Sequence, residues 1–255
     1  MSKDNLGDRM KGYENIERRY LTRRTPTIIR LDGKAFHSFT KGFQKPFDEI
    51  LMKSMWDTAK YLCENIQGCQ IAYTQSDEIT LLLTDYETIT TDAWFNKNIQ
   101  KMCSVSASMA TLAFNKAFGE NINNSDANNI SEQYDVYAKR IGTALFDSRV
   151  YNIPKEEVCN AFIWRQQDAT RNAIQMVGQA NFSHKQLQNK NCNQIQEMLF
   201  QEKQINFNDL PNYQKRGVCI VKSNYLKDDT TRTRWLIDDD IPVFTQDRNY
   251  IEEYL

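Results

Sequence analysis

Apolar and polar positions alternate in blocks that spell out a succession of short strands and longer helices. Residues 1–25 are polar, with a helical spacing around Tyr13, Ile16 and Tyr20. Thr27-Ile28-Ile29-Arg30-Leu31 is a β-branched run that ends at Asp32-Gly33, the signature of a strand entering a turn. From Phe47 to Ile66 the apolar residues Ile50, Leu51, Met55, Ala59 and Leu62 recur at intervals that predict an amphipathic helix. Gln70–Thr74 and Ile79–Leu83 read as strands around the polar turn Gln75-Ser76-Asp77-Glu78. A long helix is predicted over Ala93–Phe118, its small residues Ser104, Ser106, Ala107, Ser108 and Ala110 allowing close packing on a sheet. The stretch Glu120–Glu132 is rich in Asn and Ser and reads as a loop. Arg149–Ile153 is a further strand stopped by Pro154; Lys155–Gln179 and Asn193–Gln201 read as helices, with Ser183 capping one between them. Gly217–Lys222 and Arg232–Ile237 close the chain as a strand pair.

The order from 27 to 153 is βαββαβ. That is the ferredoxin-like, split-βαβ pattern of an α+β fold, with additional helices and strands at the C-terminus. We therefore expect a palm-like domain over residues 1–153, including an N-terminal extension. Residues 154–255 should supply helices and a strand pair packed on it as part of one compact unit. In such a sheet the third strand lies between the first and second. The exit of the first strand then meets the turn joining the second and third. Asp32 stands at that exit and Asp77 at that turn, so the two carboxylates should be neighbours in space.

Two carboxylates this close repel unless one is protonated or a cation lies between them. Magnesium suits such a site, because it takes oxygen ligands and shares its shell with phosphate. Two ions would activate an attacking oxygen and stabilise a departing phosphate. The competing reading is that both residues are ordinary turn-formers. Gly33 allows close backbone approach to a ligand, and the turn through Lys34, Ala35, Phe36 and His37 can aim N–H groups at a triphosphate. His37 taken alone fits a packed structural role equally well. Lys45 is a compact phosphate partner or a solvated surface cation. Ser76 either donates to phosphate or caps its turn, and Glu78 either joins the acidic site or tunes its charge.

Bulk charge adds little. The 255-residue chain has a formal net charge of −1, so any contact with nucleic acid must come from a local patch. Candidate patches are Arg18, Arg19, Arg23 and Arg24, and then Lys215, Arg216, Lys222, Lys227, Arg232 and Arg234. The 6 cysteines form no C-x-x-C pair and there are only 2 histidines, which argues against zinc. Buried thiols, an N-terminus without a signal-peptide core and no apolar run of membrane-spanning length predict a cytoplasmic protein without membrane contact.

Arg30-Leu31-Asp32-Gly33-Lys34-Ala35-Phe36-His37 resembles the R-[IL]-D-G-[RK]-x-F-H signature of tRNA-His guanylyltransferases. Phe43-Gln44-Lys45-Pro46-Phe47-Asp48 resembles the F-x-K-P-x-D that follows it, and Tyr73–Glu78 their A-Y-x-Q-S-D-E turn. Trp164-Arg165-Gln166-Gln167-Asp168 looks like the W-R-Q-x-D helix of the family, and Lys215-Arg216-Gly217-Val218 like its R-K-G-T/V strand. The resemblance implies a polymerase palm working in the 3′-to-5′ direction. The 5′ end of tRNA would be activated by ATP or GTP, then attacked by the 3′-hydroxyl of an incoming NTP. By position, Asp32, the Gly33 carbonyl and Asp77 would hold two magnesium ions, and Gly33 to His37 the triphosphate. Lys45, Ser76 and Asn172 match positions linked to activation and transfer. Arg30 and Lys101 would add positive charge near the phosphates. Where eukaryotic members read H-I-N-N-L-Y-N, this chain has Thr170-Arg171-Asn172-Ala173-Ile174-Gln175-Met176. That departure resembles the "-like" branch, associated with template-dependent repair of truncated 5′ ends, and implies repair rather than dedicated guanosine addition to tRNA-His. The Arg pair expected after Trp94-Phe95 is replaced by Asn96 and Lys97. Family members are commonly tetramers, which implies a homotetramer here. A palm-type nucleotide cyclase or dinucleotide synthase, and a non-catalytic nucleotide-binding or RNA-binding module, are the competing functions.

Overall fold

The computed structural model describes residues 5–125, 133–227 and 230–255. The chain opens with α1 (Leu6–Ile16), capped by Asn5. Next come β1 (Thr27–Gly33), the short α2 (Phe36–Phe39) and α3 (Glu49–Asn65), followed by β2 (Cys69–Gln75), β3 (Glu78–Leu83), α4 (Ile99–Asn124), α5 (Tyr134–Ala138) and β4 (Phe146–Asn152). The C-terminal part supplies α6 (Val158–Asn181), α7 (His184–Leu187), α8 (Cys192–Lys203), α9 (Asn212–Arg216), β5 (Val218–Lys227), β6 (Thr230–Asp238) and α10 (Asn249–Glu252).

The six strands form one sheet in the order β4-β1-β3-β2-β5-β6. The first four positions are the ferredoxin-like arrangement, with β3 between β1 and β2 and antiparallel to both. Alternation within each strand divides the sheet into two faces. Ile29, Leu31, Ile79 and Leu81 pack with Met55, Leu62, Met102, Ala110 and Phe114 of α3 and α4. Ile28, Ile71, Tyr73 and Leu82 face the other way, against Val158, Cys159 and Phe162 of α6. Helix α6 thus covers the face that a bare palm would expose.

Several boundaries differ from the sequence pattern, each for a local reason. The helix expected from Ala93 begins at Ile99. Phe95, Asn96 and Lys97 take left-handed φ values of 48°, 50° and 58°, and the Asn98 side chain then accepts from the Lys101 N–H as a cap. Lys97 is buried there by donating to the Thr22 and Thr25 carbonyls beside Asp85. The same helix runs on to Asn124, into the stretch read as a loop, because Phe118 and Ile122 continue its buried stripe. The rest of that stretch, 126–132, lies outside the described residues. β4 begins at Phe146, three residues before the apolar run. It is an edge strand, so its ladder to β1 needs no hydrophobic alternation. β5 and β6 extend well past β2 as a two-stranded ribbon. Among the described residues, no helix is long and apolar enough to cross a membrane.

Gly217 joins α9 to β5 at φ 79°, and a Cβ built on it would lie 2.6 Å from the Thr74 carbonyl oxygen. Both strain and steric overlap therefore select glycine. Gly217→Ala is expected to cost about 2 kcal/mol of stability, as overpacking does, in a urea unfolding titration at 25 °C. The β2–β5 register next to the Ser76 turn should loosen with it.

Candidate active site

Asp32 is the penultimate residue of β1. Its cross-strand partners are Glu78 on β3 and Asp147 on β4. Directly opposed residues share a face, so three carboxylates line up across adjacent strands on the α6 side of the sheet. The β2–β3 turn is tied to β1 by the Gly33 N–H donating to the Asp77 carbonyl at 3.0 Å. This brings Asp77 beside Asp32, as the strand order requires. Ser76 holds φ 51° in that turn, and its hydroxyl donates to Asp77 Oδ1 at 3.1 Å.

The acidic residues have different environments. Glu78 is buried and receives Arg165 Nε at 2.6 Å and Nη2 at 2.9 Å, a two-pronged pair. Arg30 Nε lies 3.2 Å from the same Oε2 that accepts Arg165 Nη2. Burial raises the Glu78 carboxyl above the ordinary carboxylate range, while Arg165 and Arg30 pull it back. Asp147 has Arg149 at 3.6 Å. Asp32 and Asp77, by contrast, make no ion pair among the described residues. Burial, and then the neighbouring Asp32 charge, push the Asp77 carboxyl above its ordinary value. Asp32 and Asp77 are thus the pair whose negative charge the protein leaves uncompensated. Hard oxygen donors in that state fit a divalent cation. No group of three or more His, Cys, Asp or Glu side chains is placed to hold a metal among the described residues. An ion at Asp32 and Asp77 would therefore complete its shell with the Gly33 carbonyl and substrate oxygens.

The other expected residues take definite places. The Gly33 and Lys34 N–H groups are spent inside the protein, on the Asp77 and Leu145 carbonyls. Within the loop this leaves Ala35, Phe36 and His37 as the stretch whose amides can face a phosphate, with Ala35 at φ 56°. The Phe36 side chain is not part of that surface. It is buried in an aromatic cluster with Phe39, Phe114 and Phe146. A Cβ at position 33 would fall 2.3 Å from its ring. Glycine is therefore required at 33 by aromatic packing, whereas the sequence suggested ligand approach. Lys34, His37 and Lys45 are exposed, Ser76 and Asn172 likewise. Arg30 is held by Glu78, and exposed Lys101 lies over the Phe95 ring.

Ser76 and Asn172 both line a shallow cleft, open to solvent, between α3, α6 and α9. It lies on the flank of the Ser76-Asp77 turn away from Asp32. The N-terminal basic cluster is partly structural: Arg23 pairs with buried Asp85 at 3.5 Å, and the Arg24 backbone N–H donates to both Asp85 oxygens at 3.0 Å. Arg232 and Arg234 remain exposed on the ribbon.

Arg165 stands in the W-R-Q-x-D motif, but motif reading assigned it no role. Val158, Phe162, Arg165, Ala169 and Ala173 share the buried stripe of α6. An arginine in an apolar helix face is a legible sign of a buried anion partner. Gln166 beside it donates to the Pro242 carbonyl and accepts from the Phe244 N–H, pinning the C-terminal segment. The Trp164 ring lies 4.4 Å from the Arg165 guanidinium.

Two expectations follow. Arg165→Met strands Glu78 with Arg30 as its remaining cation, and should cost about 3 kcal/mol by urea unfolding, the lower end for a broken buried pair. The Asp77 effect has the opposite sign. A carboxyl that binds its proton more tightly folded than unfolded costs no stability in acid. The cost grows as the pH rises through the unfolded value and is complete above the raised folded one. Asp77→Asn should therefore raise Tm at pH 7.5 in a chelating buffer. The gain should vanish below the carboxylate range.

The sequence model of the Thg1 tRNAHis guanylyltransferase family matches residues 7–154. A bacterial tRNA(His) guanylyltransferase (Thg1)-like protein solved in complex with ATP superposes with a TM-score of 0.85 at 48% identity, covering 98% of each chain. A structure of such a bacterial protein in complex with GTP gives 0.80 at 44%, covering 98% of this chain and 99% of that one. A protein of Acanthamoeba polyphaga mimivirus is 30% identical over 98% of this chain and 87% of its own length.

Proposed function

The chain belongs to the Thg1 tRNAHis guanylyltransferase family, and on that premise we propose that it is a magnesium-dependent nucleotidyltransferase that rebuilds truncated 5′ ends of tRNA by template-directed 3′-to-5′ addition. The observation that carries this reading is the contrast at the sheet edge. Glu78 is neutralised by two guanidinium groups, while Asp32 and Asp77 are left side by side without a cationic partner among the described residues. A protein that only bound nucleotide would gain nothing from keeping that repulsion. The bacterial relatives solved with ATP and with GTP support nucleoside triphosphates as substrates.

In this reading Asp32, Asp77 and the Gly33 carbonyl hold two magnesium ions. Bound there, the ions supply positive charge that offsets the charge developing on the transferring phosphate. Backbone groups of Ala35, Phe36 and His37, with Lys34 beside them, hold the triphosphate of the incoming nucleotide. Lys45, Ser76 and Asn172 serve the activating nucleotide on the other flank of Asp77. A 5′-phosphate oxygen of the RNA attacks the α-phosphorus of ATP or GTP, forming a phosphoanhydride and releasing pyrophosphate. The 3′-hydroxyl of the incoming nucleotide then attacks the RNA 5′-phosphorus, giving up its proton and releasing the nucleoside monophosphate. Glu78 acts as a positioning residue: by anchoring Arg165 and Arg30 it fixes the start of β3 and hence the orientation of Asp77. The work is done on tRNA in the cytoplasm, by a homotetramer.

The test is incubation with tRNA lacking its first nucleotides, labelled NTPs and magnesium. Extension that copies the opposing strand is the expected result, with Asp77→Ala slower by more than about a hundredfold. A single guanosine on tRNA-His alone would replace repair by dedicated addition. Labelled product formed without RNA would instead indicate a cyclase or dinucleotide synthase.

A further inference from the structure

Two residues back along β1 from Asp32, the α6 face of the sheet holds polar groups that the ionic network around Glu78 does not consume. Arg30 on β1 and Arg149 on β4 are direct cross-strand partners, as Asp32 and Asp147 are one pair further along that face. Like charges so opposed destabilise a ladder unless an anion answers them. Glu78 answers Arg30. Arg149 has Asp147 at 3.6 Å, too long for a hydrogen bond, and its side chain is 56% exposed. Its guanidinium therefore keeps free donors among the described residues. Beside this pair stands Trp164 on α6. Its ring centre lies 4.4 Å from the Arg165 guanidinium and 5.8 Å from that of Arg30. Both guanidiniums hold the same Glu78 oxygen, so they back the indole from one side. Trp164 is nevertheless 49% exposed, which leaves its other face to solvent. An exposed apolar ring alone is ordinary. An exposed indole beside an unspent guanidinium offers a plane for a base and a donor fork for a phosphate.

We propose that Trp164 and Arg149 form the subsite for the 5′-terminal nucleotide of the RNA: its base stacks on the open face of the indole, and Arg149 takes the phosphate on its 3′ side. The inference rests on the functional reading above, in which the 5′-phosphate of that nucleotide is drawn to Asp32 and Asp77. Asp32 and Arg30 lie two residues apart on one strand face, about 6.6 Å, and Arg149 is level with Arg30 on the next strand. That is the scale of one nucleotide step. An RNA end whose 5′-phosphate meets Asp32 thus brings its next phosphate level with Arg149. The incoming nucleotide is the weaker candidate for this plane. Its triphosphate is assigned to the Ala35–His37 loop, which Phe36 anchors in the core on the opposite, α4 side of the sheet. Stacking is also tolerant of sequence, because every base has a π-face. An enzyme that meets tRNAs truncated at different positions needs that tolerance, whereas a reader of base edges would accept some ends and refuse others.

The probe is 5′-truncated tRNA with a 5′-monophosphate, in an intact form and in a form whose 5′-terminal nucleotide is abasic. Affinity is read by fluorescence anisotropy with magnesium and no NTP, and KM by labelled extension. Trp164→Ala should weaken binding of the intact RNA about tenfold, the scale of losing one base–aromatic stack, and change the KM for the incoming nucleotide less than about twofold. Trp164→Phe keeps a plane and should restore most of the affinity. The abasic RNA should bind the parent about tenfold more weakly, and Trp164→Ala should add less than about twofold to that loss, because both changes remove one contact. Arg149→Gln should lower the slope of log Kd against log salt by about one. A purely structural role for Trp164, exerted through Arg165, would weaken both RNAs alike and lower Tm. That additive pattern, an unchanged affinity in Trp164→Ala, or a rise confined to the KM for the incoming nucleotide would overturn the subsite. An unchanged salt slope would remove Arg149 from it. Failure of the functional reading looks different: the parent protein would not extend the intact RNA, and the subsite would fall with it.

Discussion

Asp147, Asp32 and Glu78 face one another across three neighbouring strands, and Asp77 joins them from the adjoining turn. Like charges directly opposed in a sheet destabilise it. The surrounding architecture answers this charge unevenly. Two guanidiniums neutralise Glu78, Arg149 approaches Asp147, and the remaining pair has no ion-pair partner among the described residues. That unevenness turns an electrostatic burden into a site. The uncompensated charge is concentrated where β1 ends and the β2–β3 turn begins.

Helix α6 is the element that makes this possible. It closes the second face of the sheet with Val158 and Phe162, and delivers Arg165 to Glu78 from the same stripe. One turn further, Asp168 bridges Arg165 and Arg171, and Asn172 reaches the cleft beside Ser76. A single helix therefore sets core packing, the charge balance of β3 and one wall of the cleft beside Ser76. Stability and chemistry are coupled through it. A change that loosens α6 shifts the start of β3, and Asp77 moves with it.

The aromatic cluster beneath the Gly33–His37 loop plays the matching role on the other flank. Phe36 packs against Phe39, Phe114 and Phe146, which ties α2 to α4 and β4. The loop's left-handed residue, Ala35, is held in place by this packing on one side and by the Lys34–Leu145 hydrogen bond on the other. Asp32 and Asp77 are consequently braced from both flanks, by aromatic packing under α2 and by ionic pairing under α6.

The split-βαβ order, the strand containing Asp32 and the turn containing Asp77 were legible in the primary structure, because local periodicity and turn chemistry depend on near neighbours in sequence. So was the meeting of the two aspartates, since strand order follows from connectivity. The capping of α7 by Ser183 was legible for the same local reason. What stayed hidden depends on partners far along the chain. Glycine at 33 answers to the Phe36 ring, Lys97 ends its segment because Asp85 lies beneath it, and Arg165 belongs to Glu78. The amino-acid order by itself determined which residue types could carry the chemistry and which strands would bring them together. Only the folded molecule decided which acids are neutralised and which remain bare, because charge compensation is a property of three-dimensional neighbours.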